Sequence, residues 1–481
     1  MQNQIVFDTS ESSVSHFDLR HNIKRSIMTQ FYQRLVCVSV MTFLVIGSGN
    51  SFASDEIPGA KQTKPVAIVG ATVHPVTSDA IEKATIVFAD GKIVAVGTDV
   101  TVPEGAEVID AQGKHVYPAL FEAYSQLGLI EIDAVRPSLD NNETGTINPN
   151  VKAHVAFNPD SEIIPVTRAN GVLLAVSAPS GGLIPGQASV MQLDGWTWED
   201  MTLKPSAGLM VDWPAMTNVL NNDDKSKNNG RDSSVRRLKD MLDDARAYRV
   251  ARETNPDAQD HDARLEALLP VVAGTTPMIV KANALDEIQS AVAFAVEQKT
   301  KIILFGGYDA PLCADLLKQH NVPVIIAGVY RSPLRRNDDY DVAYTLPERI
   351  RAAGITYCIS GAGRWSTSNV RNLPYHAATA VAYGLSHEEG LKSITLYPAQ
   401  IMGVADRVGS LEVGKDATLF VTGGDPLETT SNPRAAWVQG RRVDLNSRHK
   451  RLFRKYTTRQ KQKAAKDGES REDDKSPEAA R

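Results

Sequence analysis

Between Pro277 and Pro323 short apolar runs alternate with helical stretches, and few folds accept that pattern. PMIVKAN (277–283), KIILFGG (301–307) and PVIIAG (323–328) are separated by LDEIQSAVAFAVEQ (285–298) and APLCADLLKQH (310–320). Strands buried on both faces read as unbroken apolar runs, and parallel neighbours need a right-handed helical crossover. GVLLAVSAP (171–179) and TYCIS (356–360) extend the set. Taken alone, these runs fit a closed barrel or a doubly wound open sheet.

The two ends of the chain favour the barrel. VAIVGATVHPV (66–76), ATIVFADGKIVAVG (84–97) and AEVIDAQGKHV (106–116) are strands, with Asp90-Gly91 as a hairpin turn pair. The same texture returns in GSLEVGKDATLFVTGG (409–424) and AAWVQGRRVDL (435–445). The expected architecture is a TIM-like (β/α)8 barrel over 118–405, inserted in a small β-sandwich domain built from 54–117 and 406–446. Residues 214–270 read as a polar excursion from the barrel, with a loop at 221–234 and a charged surface helix at 235–253. The segment 447–481 is so charged that a disordered tail is expected.

The N-terminus reads as an export signal. LVCVSVMTFLVIG (35–47) follows Arg34 and precedes Ser51 and Ala53, the small residues of a cleavage site after Ala53. The run is short for a membrane span, which needs ~20 apolar residues, although an uncleaved anchor stays open. Met28 is an alternative start, because the 27 residues before it carry no fold signal. The expected location is periplasmic or extracellular, with no membrane span after cleavage. A net charge of -5 argues against nucleic acid as a partner. Beyond Cys37 in the signal, Cys313 and Cys358 sit in apolar contexts as expected buried thiols; one disulfide between them stays open.

The stretch Pro118-Ala119-Leu120-Phe121-Glu122-Ala123-Tyr124-Ser125-Gln126 resembles the Pro-Gly-Leu-Ile-Asp-x-His-x-His signature of metal-dependent amidohydrolases. Three further segments resemble exported imidazolonepropionase-like members of that superfamily: 168–201, 369–404 and 406–427. In the second, Ser386 and Glu389 form a capping box, and Pro398 fits the first turn of the next helix. The resemblance implies the barrel and a hydrolase of C–N bonds in cyclic amides or dipeptide-like substrates. It also implies a divalent metal held by histidines, a carboxylate or a modified lysine at strand ends, activating a water.

This chain departs from that pattern at each position. Tyr124 and Gln126 replace the histidine pair, Lys281 and Gly306 stand where later strands would supply ligands, and Gly361 and Ala362 replace the catalytic Asp. His-x-His and His-Glu-x-x-His are absent; His154 and His376 are the only two histidines in the barrel's loop half. No metal and no cofactor are therefore expected.

If the strands are placed correctly, Tyr124, Gln126, Lys281, Asn283 and Arg364 ring the barrel mouth and suit a small polar or anionic ligand. Lys281 is either a desolvated base or imine-forming nucleophile, or the partner of Glu122 in a salt bridge filling the vacated metal site. Glu122 is either a general base or an acceptor for backbone amides. The loop 177–187 is either an anion cradle or a tight turn, and Ser177 and Ser180 have no visible triad partners. Three readings follow. One is a catalytically impaired protein that binds a ligand, or pairs with an active paralogue or with itself. The second is a metal-independent hydrolase using Lys281 or Glu122, and the third a structural envelope protein. The signal reading predicts that chain recovered after export begins at Ser54 by N-terminal sequencing. A product retaining 35–47 would establish the anchor instead.

Overall fold

The computed structural model describes residues 56–216, 225–255, 260–362 and 367–473. The signal segment with Cys37, and Arg364, lie outside the described residues. The strands are β1 (Val66–Val73), β2 (Ile81–Ala89), β3 (Lys92–Gly97), β4 (Glu107–Asp110), β5 (His115–Pro118), β6 (Leu120–Ser125), β7 (Val172–Ser177) and β8 (Gly186–Gln192). They continue as β9 (Thr202–Asp212), β10 (Met278–Ala282), β11 (Ile302–Gly306), β12 (Val324–Ala327), β13 (Tyr357–Ser360), β14 (Leu419–Thr422), β15 (Pro433–Val438) and β16 (Arg441–Val443).

Both chain ends meet in one sheet, ordered β16-β15-β14-β5-β1-β2-β3, with β4 paired to β1. Hydrogen bonding joins these eight strands into a single sheet around its own core, where a sandwich of two sheets was expected. The period of two along β14 and β15 shows how this sheet serves two cores. Leu419, Val421 and Trp437 enter the sheet's own core, while Phe420, Ala436 and Val438 enter the barrel's.

The second sheet runs β6 to β13 in sequence order and is a nearly closed barrel. Ladders from β9 to β13 and between β6 and β7 are parallel, but β8 is antiparallel to both neighbours. The all-parallel expectation fails there for a simple reason. Residues 178–185 and 193–201 are too short for crossovers of a dozen residues or more, so β7, β8 and β9 meander. Gly182 belongs to the first of these turns, where an added Cβ would stand 2.7 Å from Thr146 Cα. The loop is a tight turn.

Two further expectations are corrected. Helix Lys225–Thr254 covers most of the expected polar loop, and Ala263–Val272 packs beside it. Leu238, Leu242 and Ala245 are fully buried in the barrel core. They form a stripe at helical spacing inside a heavily charged sequence. The expected disordered tail is helical over Arg448–Asp473. Its Lys, Arg, Gln and Ala are good helix formers, and the Ser447 hydroxyl accepts the Lys450 N–H at 3.3 Å as a cap. No described helix is long and apolar enough to cross a membrane. Cys313 and Cys358 are both buried and free.

Phe420 ties the sheet built from both chain ends to the barrel: its ring stacks on Tyr117 at 5.8 Å and lies over Gly171 at the entry to β7. An added Cβ at Gly171 would come within 3.1 Å of that ring. Phe420→Ala should cost about 3–5 kcal/mol in a denaturant titration. A loss under about 1 kcal/mol would mean that the sheet is not held to the barrel through this ring.

Candidate functional site at the barrel mouth

The mouth is the end where the parallel strands finish, at Ser125, Asp212, Ala282, Gly306, Ala327 and Ser360. Glu122 lies below it and is fully buried. Its Oε1 accepts the Ser360 hydroxyl at 2.5 Å and the Tyr124 N–H at 3.0 Å, and its Oε2 accepts the Gly361 N–H at 2.8 Å. Between β6 and β13 no backbone ladder forms, so this carboxylate ties the seam of the barrel. Glu122 is thus an acceptor for backbone amides, one of its two expected roles. Burial lifts its pKa to about 7, against the opposing pull of Ser360 and the amides of Tyr124 and Gly361.

Lys281 does not pair with Glu122. The two side chains belong to β10 and β6, which are not neighbours, and the expected bridge is replaced by one to the adjacent strand. Lys281 Nζ lies 2.8 Å from Asp212 Oδ1, its register partner on β9. It also lies 5.7 Å from the centroid of the Tyr124 ring. Burial works against its charge, but Tyr124 and Asp212 outweigh that and hold its pKa above the ordinary lysine value. Tyr124 is buried and stacks on Phe305 at 3.8 Å, filling the lumen between Glu122 and Lys281.

The remaining expected residues have structural partners. Ser180 Oγ accepts from Gln126 Nε2 at 2.7 Å and from Asn141 Nδ2 at 2.9 Å, which fastens the Gly-rich turn. Ser177 Oγ donates to the Leu127 carbonyl at 2.7 Å. The Asn283 N–H donates to Glu287 Oε2 at 2.9 Å at the start of helix Leu285–Gln298. His154 and His376 do not converge. His154 contacts Ser189 Oγ at 3.0 Å and packs on Trp198, while His376 Nδ1 accepts the Val329 N–H at 3.1 Å under Tyr330. Burial lowers the His376 pKa to about 4, so the ring is neutral.

Sequence reasoning missed Asp212 and a cationic cluster beyond β11 and β12. The Arg331 guanidinium lies 4.1 Å from the Tyr308 ring centroid, with its Nε and Nη2 buried and unpartnered. Burial brings its pKa down to about 10. The nearby acid Asp309 is taken by Arg335 at 3.0 Å. Asp212 was findable, since GLMVDW is an apolar run ending in a carboxylate. Arg331 was not, because its stacking joins two separate strand ends.

A family model described as the amidohydrolase family matches residues 281–444. Amidohydrolase tasK of Hapsidospora irregularis is 21% identical over 388 residues, an alignment covering 75% of this chain and 39% of that protein. The chain thus spans well under half the length of that curated relative. The crystal structure of an amidohydrolase from Thermotoga maritima matches at a TM-score of 0.70 and 25% identity, covering 79% of this chain and 99% of that one. The structure of an uncharacterized protein matches at a TM-score of 0.50 and 15% identity, over 79% of this chain and 100% of that one, a likeness of fold.

The chain is thus similar to members of the amidohydrolase superfamily in part of its sequence and in its fold. The metal implied by the resemblance does not fit the residues present. Among the described residues no group of three or more His, Cys, Asp or Glu is arranged to hold a metal ion. Two glycines at the expected ligand positions are also closely packed. At Gly306, with φ +113°, an added Cβ would stand 2.5 Å from Asn283 Oδ1. At Gly361 it would stand 2.9 Å from Glu122 Oε2. A ligating side chain at Gly306 would displace Asn283 and crowd the Ala282 carbonyl, and one at Gly361 would displace the Glu122 carboxylate.

The raised Glu122 pKa makes a stability prediction. The folded state holds this proton more tightly than the unfolded chain, where a Glu titrates near ~4.3. The stabilisation is complete below that value and is lost as pH rises through about 7. The change is on the order of 3 kcal/mol at ~1.36 kcal/mol per pH unit. Glu122→Gln removes it, so urea midpoints between pH 5 and pH 8 should fall less in the variant. Parallel pH curves would mean that another group titrates.

Proposed function

We propose that this protein binds a small anionic, amide-bearing molecule at the barrel mouth and does not hydrolyse it through a metal-activated water. The Lys281–Asp212 pair beside Tyr124 carries the reading. A catalytic divalent metal needs about three protein ligands and an open position, and an adjacent ammonium repels any cation placed there. Arg331, with a buried unpartnered guanidinium edge beyond β12, adds a second positive group suited to a carboxylate. The amide in the ligand is inferred from the names of the fungal and Thermotoga relatives. Export of the chain remains part of the proposal and is supported by residues 35–53.

A metal-independent hydrolase has less support. The Lys281 pKa is raised, and the Glu122 carboxylate is fully buried and committed to three donors. The test is elemental analysis of purified protein alongside turnover of dipeptides, N-acyl amino acids and hydantoins. Substoichiometric zinc, background turnover, and a thermal shift with N-acyl amino acids that Lys281→Met abolishes are expected. Stoichiometric zinc with chelator-sensitive turnover would overturn the proposal. So would chelator-resistant turnover lost in Lys281→Met, in favour of the metal-free enzyme.

A further inference from the structure

At the opposite end of the barrel, where β10, β11 and β12 begin, lies a cavity of about 600 Å³. It belongs to neither the mouth nor the metal chemistry of the superfamily. Val292, Ile303, Val322 and Ile401 supply apolar wall, and Lys204, Lys299 and Lys301 supply charge. Among the described residues no Asp or Glu lines it, in a chain whose net charge is -5. A volume in this range, mostly apolar with a few convergent polar groups, suits a small ligand.

Two of these cations have a local explanation. Lys299 caps the C-terminus of helix Leu285–Gln298 and Lys301 follows closely, where positive charge is favoured by the helix dipole. Lys204 has no such explanation. It stands on β9, half-buried, and its Nζ donates to the Met402 carbonyl at 2.8 Å. Burial lowers its pKa, and Asp406 acts on it only from beyond ion-pairing distance. An ammonium held in a partly apolar wall without a carboxylate is costly unless an anion completes it.

We infer that this cavity binds a free amphiphilic carboxylate, its head drawn by Lys204 and Lys301 and its alkyl chain on the wall that Val292 and Val322 supply. Decanoate is the probe, measured by calorimetry below its critical micelle concentration on the full mature chain. The expected result is saturable binding of one decanoate per chain. Decan-1-ol and inorganic phosphate, each lacking half of the recognition, should bind at least about tenfold more weakly. Lys204→Met should weaken decanoate by about tenfold or more. Should that variant misfold, Lys301→Met, at the exposed rim, carries the same expectation. Absence of saturable binding, affinity unchanged in both variants, or phosphate binding as tightly as decanoate would overturn the inference. Binding only to phosphatidylglycerol vesicles, with none to the monomer, would overturn it in favour of a lipid surface.

Discussion

The buried Glu122 carboxylate is the interaction on which the barrel depends. A ring of eight strands has to join its first member to its last, and here β6 and β13 meet without a ladder. Ser360 and the Gly361 amide reach the carboxylate instead, and Ser360 Oγ also lies 3.1 Å from the Tyr124 carbonyl. A buried acceptor with three donors is far cheaper than three orphaned donors, but it leaves an ionisable group out of water. That compromise raises its pKa and fixes the end of β6, and hence the placing of Tyr124.

Tyr124 in turn sets the character of the mouth. A large ring stands where the resemblance would place a small ligating imidazole, and it stacks on Phe305 and faces the Lys281 ammonium. Asp212 neutralises that ammonium from the neighbouring strand. Gly306 and Gly361 belong to the same arrangement, since Asn283, Ala282 and Glu122 occupy the space a side chain at either position would need. The site is a polar constellation of its own on a shared fold.

Much of the scaffold was legible because each of β10 to β13 is one apolar run bounded by helix or turn. The hairpin β7–β8–β9 was not, because Thr202, Lys204 and Ser206 give the first half of β9 a polar, alternating texture unlike its neighbours. The docking stripe Leu238, Leu242 and Ala245 was hidden among charges, and the C-terminal helix by the lack of a buried face among its described side chains. For the site, residue identities were readable but partners were not. Glu122 and Lys281 looked like natural mates by charge, and only strand order shows that one faces β13 and the other β9.

The sheet assembled from both termini constrains how the molecule comes into being. β5 pairs with β14, a strand that follows the entire barrel in the chain. On a ribosome, β5 therefore waits with a bare edge while every strand from β6 to β13 is translated, and such edges invite pairing with other chains. The clasp closes last, so correct maturation requires keeping that early edge from the wrong partner until the far end of its own polypeptide arrives.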